Sequence, residues 1–186
     1  DAVVHAGVLL SAASTNGNGL FCLPGTHSKW VKIQKFEVVD FQTVMTGELF
    51  ALLRNQSILK HTISQTGSVD VESEDYCSAV KEAFAEPALL VQKLFSLRSL
   101  SVLNNHSDQA MLNRLSGLLI GGEIAGFNSI HKIEDTQVNL ISSGVLSDLY
   151  SKAFGLLGVS NKTLEASSLA RIGLHEAAKH LLTSTQ

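Results

Sequence analysis

The chain has 186 residues, 45% of them hydrophobic and 17% charged, with a formal net charge of −3. That length buries one good core, or one core with a small appendage, and the hydrophobic share excludes intrinsic disorder. The mild negative charge without a basic run argues against a nucleic-acid partner, and the most apolar run, 115–127, is too short for a membrane span and is interrupted by Glu123.

In chain order, residues 3–14 read as a buried or half-buried helix. The same stretch looks superficially like a signal-peptide core but lacks a basic start. Thr15-Asn16-Gly17-Asn18-Gly19 is a turn by composition. Three short strands follow, at 20–23, 30–34 and 38–43. The first is apolar throughout, the second alternates, and a tight turn near Gln34-Lys35 makes them an antiparallel meander. Thr46 is placed to cap a helix over 47–54, with Leu49, Phe50, Leu52 and Leu53 facing the core. Residues 56–71 are polar and irregular.

Ser73 opens a helix that runs to Ala85 and stops before Pro87, and 88–95 makes a second, short helix. Ser107 or Asp108 caps the longest helix, 109–130. Gly117, Gly121, Gly122 and Gly126 cost that helix propensity, so each needs a close contact, with the sheet, with another helix or with a ligand. A strand at 137–141 leads into Ser142-Ser143-Gly144. A helix over 145–157, a loop and a final helix over 165–182 complete the chain. The pattern predicts one α/β lobe with a mixed sheet flanked by helices, and a small helical insertion at about 56–106. Cys22 and Cys77 show no CxxC spacing and read as reduced thiols of a cytoplasmic protein. The seven histidines show no HxxxH spacing, so no metal site is expected.

The stretch Leu23-Pro24-Gly25-Thr26-His27-Ser28-Lys29-Trp30 has the make-up of a strand-end turn that holds phosphate. Pro24 ends regular pairing because it has no N–H. Gly25 lets backbone approach a ligand closely. Thr26, His27 and Ser28 supply hydroxyls, an imidazole and consecutive N–H groups, with Lys29 adding charge nearby; such a concavity of donors suits an anion. The alternative is a tight turn with a packed imidazole, in which His27 merely orients a neighbour. Glu123 stands among apolar neighbours and calls for a polar partner, and Asp40 reads as bracing a turn.

Five blocks occur in an order that carries more than any one of them: Pro24-Gly25-Thr26-His27 with Lys29-Trp30-Val31; Asp40-Phe41 with Thr43; Thr46-Gly47-Glu48-Leu49; Leu94-Phe95 with Arg98; and Leu115-Ser116-Gly117-Leu118-Leu119-Ile120-Gly121 with Glu123. Together they resemble the 2-dehydro-3-deoxygalactonokinase family, small sugar-acid kinases of the actin and hexokinase-like ATPase superfamily. The resemblance runs from about Leu9 to the C-terminus and is weakest over 58–78. It implies a ribonuclease H-like (actin-like ATPase) lobe. It also implies a preceding lobe with an Asp-x-Gly hairpin, so residues 1–186 are expected to form the C-terminal lobe, about two-thirds of such an enzyme.

The implied activity is ATP-dependent phosphorylation of 2-dehydro-3-deoxy-D-galactonate at its terminal hydroxyl, with ATP and Mg²⁺ as cofactors and the sugar acid and the other lobe as partners; a homo-oligomer is compatible with it. By the same resemblance Gly25, Thr26, His27 and Ser28 would address the β- and γ-phosphates. Ser142-Ser143-Gly144-Val145-Leu146, followed by Tyr150 and Phe154, looks like the superfamily's adenosine motif, which makes Ser143, Gly144 and Leu146 nucleotide contacts; Gly121 would flank the nucleotide or pack against a helix. Arg98 is the candidate for the sugar-acid carboxylate, because a guanidinium fork fits a carboxylate bidentately; a salt bridge is the competing reading. Glu48 would act through water on Mg²⁺ or serve its own helix start. The catalytic base is unassigned: relatives carry Gly-Glu-Glu where this chain has Val4-His5-Ala6, leaving His5 as a substitute or the protein without catalysis. The alternative function is therefore a non-catalytic nucleotide- or sugar-acid-binding module derived from such a kinase.

Overall fold

Three strands, β1 (Gly19–Leu23), β2 (Ser28–Gln34) and β3 (Glu37–Val44), run as an antiparallel meander in the computed structural model, which describes residues 16–104 and 106–183. The β2–β3 turn is made by Lys35 and Phe36, both in the left-handed region at φ 52° and 66°, a geometry whose twist matches that of the flanking strands. Two further strands, β4 (Val138–Ser142) and β5 (Asn161–Glu165), add in parallel, giving the order β3-β2-β1-β4-β5. β4 is buried along its whole length, as a parallel strand covered on both faces should be. The expected helix over 3–14 lies outside the described residues.

Among the described residues six α-helices accompany the sheet: α1 (Thr46–Asn55), α2 (Glu74–Ala85), α3 (Leu90–Asn104), α4 (Asp108–His131), α5 (Gly144–Leu156) and α6 (Ala166–Thr183). Ser73 and Ser107 accept from the N–H of Tyr76 and Ala110 and start α2 and α4 as expected. Three expectations are corrected. α3 continues nine residues past Phe95, because Leu97 is buried and Leu94 and Leu100 pack with it. The loop expected before the last helix contains β5, whose partner is β4. Thr46 is the first residue of α1 rather than its cap; Met45 precedes it without a side-chain cap bond, and the Thr46 hydroxyl is used elsewhere.

Successive strand residues point to opposite faces, and the sheet is covered on both. Leu20, Cys22, Trp30, Val138 and Leu140 pack with Ile120, Ile124 and Phe127 of α4 and with Leu149, Tyr150 and Phe154 of α5. On the other face Phe21, Val31, Ile33 and Ile141 meet Leu164 and Leu169. A second core joins α1, α2, α3 and α4 through Leu49, Phe50, Ala79, Ala83, Leu97, Leu112 and Leu115. α4 thus belongs to both layers. Both cysteines are free thiols, and no described helix is long and apolar enough to cross a membrane.

Candidate functional site

The turn between β1 and β2 sits at the end of the sheet where α1 and α5 begin. Its Thr26 and His27 are exposed while Ser28 is fully buried. The start of α1 is pressed directly against it: the Glu48 N–H donates to the Thr26 carbonyl at 2.9 Å. A Cβ on Gly47 would lie 2.5 Å from the Gly25 carbonyl oxygen and 2.8 Å from the Thr26 Cα. Only glycine permits that approach. His27 Nε2 lies 2.6 Å from Glu48 Oε2 across the same junction, and Lys29 Nζ donates to the His27 carbonyl at 3.4 Å.

Behind this junction lies Glu123 of α4, 6% exposed. Trp30 Nε1 donates to its Oε1 at 2.9 Å, the Tyr150 hydroxyl donates to Oε2 at 2.7 Å, and the Thr46 hydroxyl donates to Oε2 as well. Tyr150, having given its proton to Glu123, accepts from Ser28 Oγ at 3.1 Å. Burial raises the Glu123 pKa, opposed by the hydrogen bonds from Thr46, Tyr150 and Trp30. Burial also raises the Tyr150 pKa, with the neighbouring Glu123 charge adding to it. One carboxylate therefore gathers side chains from β2, α1 and α5.

Between these elements opens a cleft of about 370 Å³, walled by Gly25, Thr46, Gly47 and Phe50 on one side and Val145, Leu146, Leu149 and Tyr150 on the other, with Ser116, Leu119 and Ile120 of α4 as its floor. At the α5 end, Gly144 adopts φ +60° and opens onto free space. Ser143, Gly144 and Leu146 are exposed there.

The geometry brings Gly25 of the turn and Leu146 of the segment expected to meet nucleotide to one cleft, with Thr26, His27 and Ser28 following directly in the turn. For Gly121 the geometry favours the second of its two readings, contact with a helix. It is not part of the cleft wall: a Cβ there would lie 2.4 Å from the Val80 carbonyl oxygen of α2, so this glycine is required by helix–helix contact. Arg98 also stands apart from the cleft. It is half-buried on α3, and no hydrogen bond or ion pair reaches its guanidinium among the described residues. His5 lies outside the described residues. Asp40 pairs with His131 Nε2 at 2.5 Å, tying β3 to the end of α4.

Arg54, which the sequence reading passed over, is the cation that does line the cleft. Its Nε and Nη2 donate to the carbonyls of Ser64 and Gly67 at 2.9 Å each. The signal available in the sequence was a base in the last turn of a helix followed by a polar, glycine-containing loop.

The sequence profile of the 2-keto-3-deoxy-galactonokinases matches residues 4–177. A protein of Rhizobium meliloti (strain 1021) named "Probable 2-dehydro-3-deoxygalactonokinase DgoK1" is 38% identical over 173 residues, covering 92% of this chain and 56% of the relative. The 2-dehydro-3-deoxygalactonokinase of Escherichia coli (strain K12) is 30% identical over 171 residues, covering 91% of this chain and again 56% of the relative. A crystal structure assigned to a 2-dehydro-3-deoxygalactonokinase protein of Sinorhizobium meliloti superposes with a TM-score of 0.86 at 34% identity, over 94% of this chain and 57% of that one. The chain therefore spans little more than half the length of the relatives it matches.

Proposed function

This chain belongs to the 2-keto-3-deoxy-galactonokinase family, and on that footing we propose that it is the C-terminal, nucleotide-holding lobe of an ATP-dependent sugar-acid kinase acting on 2-dehydro-3-deoxy-D-galactonate. The sheet order β3-β2-β1-β4-β5, antiparallel on one side of β1 and parallel on the other, supports reading the lobe as ribonuclease H-like (actin-like ATPase). The observation that carries the nucleotide reading is the shared cleft: Gly25 of the donor-rich turn, Gly47 and Leu146 at the α5 start all line it.

In this reading the N–H groups and hydroxyls of residues 25–28 hold the β- and γ-phosphates, and the apolar wall of Val145, Leu146 and Leu149 receives the adenosine. The terminal hydroxyl of the sugar acid attacks the γ-phosphorus; the new O–P bond forms as the bond to the ADP oxygen breaks, and the hydroxyl proton leaves to a base. Glu48 is held by His27 and Glu123 is buried under three donors, so we place that base outside the described residues. Mg²⁺, when bound with the nucleotide, would neutralise phosphate charge, a role that asks for only one or two protein carboxylates. Glu48, exposed beside the turn, fits that demand directly or through water. Arg98, away from the cleft and without a partner among the described residues, is assigned to the sugar-acid carboxylate.

The test is ADP release coupled to Mg²⁺-ATP and 2-dehydro-3-deoxygalactonate, using the protein expressed from its complete coding sequence. Turnover in the ordinary range of about 1–1000 s⁻¹ is expected. ATP binding without sugar-dependent turnover would instead establish the non-catalytic module. Arg98→Lys keeps the charge but loses the planar fork; affinity for the sugar acid should fall while ATP affinity stays. An unchanged sugar-acid affinity would remove Arg98 from the site.

A further inference from the structure

A buried carboxylate without a cationic partner is an expensive feature, and an apolar side chain of the same volume would serve packing better. Among the described residues, the side-chain atoms hydrogen-bonded to Glu123 come from Trp30, Thr46 and Tyr150, with no Lys or Arg among them. What distinguishes the arrangement from a core hydrogen bond is where its partners lead. Thr46 and Tyr150 line the cleft, whereas Glu123 does not. Ser28, bonded to Tyr150, closes the phosphate turn. Trp30, two residues further along β2, is stacked on Phe127 of α4 at 4.2 Å.

The first turn of α1 lacks a side-chain cap, and Glu48 N–H is committed to the Thr26 carbonyl. The placement of α1 on the turn is therefore set from the front by the Glu48 N–H bond, the His27–Glu48 pair and the glycine contact at Gly47, and from behind by the Thr46–Glu123 bond. The facing wall, α5, is set through Tyr150. A carboxylate accepts at about four lone-pair positions and donates nothing, so the two oxygens of this one side chain can take all three donors at once. No neutral side chain of that size does so: an amide must turn its N–H₂ toward a donor on one side.

We propose that Glu123 is a positioning residue, one that touches no ligand but fixes the phosphate turn, the α1 start and the α5 wall in the relative placement that phosphoryl transfer requires. The proposal rests on the kinase reading above. It takes the cleft as the phosphate site and adds that the geometry of that site is held from behind by one carboxylate.

The experiment is steady-state kinetics on the protein from its complete coding sequence, with wild type, Glu123→Gln, Thr46→Val and Thr46→Ser, and thermal unfolding recorded for each. Glu123→Gln is expected to lower kcat by about 10- to 100-fold, the scale of a misplacement of roughly 1 Å, with KM for the sugar acid unchanged. Thr46→Val, isosteric but without the donor, should lower kcat in the same direction, and Thr46→Ser should restore it. That hydroxyl-dependent rescue in kcat, without a matching change in sugar-acid KM, is a readout a merely structural role would not move. A folded Glu123→Gln with wild-type kcat overturns the proposal. Should that variant not fold, equal rates for Thr46→Val and Thr46→Ser overturn it. An inactive wild type would bring down the kinase reading and this inference with it, whereas an active wild type with unaffected variants would bring down the inference alone.

Discussion

On the side of α4 that meets α2, the helix presents Gly117 and Gly121, and the backbone of α2 fills the space where side chains would be: a Cβ would lie 2.5 Å from the Tyr76 carbonyl oxygen at the first and 2.4 Å from that of Val80 at the second. On the side that meets β2, α1 and α5, two residues beyond Gly121, the same helix presents Glu123, bonded to donors from all three. The first contact is steric and leaves no room for a ligand. The second is polar, costs desolvation, and leads through Thr46 and Tyr150 to an open cleft. A single sequence block, 115–123, therefore contains two kinds of necessity. Its glycines answer to helix packing and its carboxylate to the site.

The largest way to break the cleft side is at the turn itself. In the complete protein, Thr26→Ala is expected to lower kcat more than it raises KM, by on the order of 2–4 kcal/mol in barrier, the scale for a donor aimed at charge growing in the transition state. An unchanged kcat in a stably folded variant would return the turn to a purely structural role. The packed side breaks differently. Gly121→Ala pushes a methyl into the Val80 backbone and should cost about 1–3 kcal/mol of stability, read from urea unfolding. Gly126→Ala, on the same helix but with nothing within 4 Å of the added carbon, should gain about 0.5–1 kcal/mol from helix propensity and lost unfolded-state freedom. Equal effects at the two positions would refute the steric account of the α2 contact.

A smaller contrast is in pH. Glu82 of α2 is pushed up by its partial burial, but the hydrogen bonds and charges of Arg114 and Lys93 outweigh that and leave its pKa lowered. Its contribution is therefore present above the unfolded carboxylate value of about 4.3 and is lost as pH falls through the folded value. Glu123, raised by burial, has the opposite sign. Its contribution is complete below the unfolded value and is lost as pH rises through the folded one. Stability measured against pH should thus lose part of its acid-side decline in Glu82→Gln and part of its decline toward neutrality in Glu123→Gln. Identical changes in the two variants would show that the two carboxylates do not differ as described.

What was legible in advance follows the same division. Local signals sufficed for α4, expected at 109–130 and found as Asp108–His131, because Ser107 caps it and apolar residues recur along it. They sufficed for the meander, where short strands alternate or run apolar between turn residues. They failed at β5: Asn161–Glu165 is mostly polar and half or fully exposed, and it is a strand only because β4 offers an edge. They failed for the length of α3, whose buried Leu97 earns its place from helices remote in sequence. In the site, the turn was recognisable from its composition and Glu123 from its apolar surroundings. Its partners stand 27, 77 and 93 residues away, and no periodicity spans such distances. The same limit left two readings for Gly121, between which only the position of Val80 decides.

The central claim is that the cleft between the turn and the start of α5 receives the nucleotide. It is tested most directly by a crystal structure of the protein from its complete coding sequence with Mg²⁺ and a non-hydrolysable ATP analogue. The account predicts β- and γ-phosphate oxygens within hydrogen-bond distance of donors in residues 25–28, adenosine against Leu146, and the Glu123 bonds to Trp30, Thr46 and Tyr150 intact. A nucleotide bound elsewhere, with the turn making no phosphate contact, would contradict it.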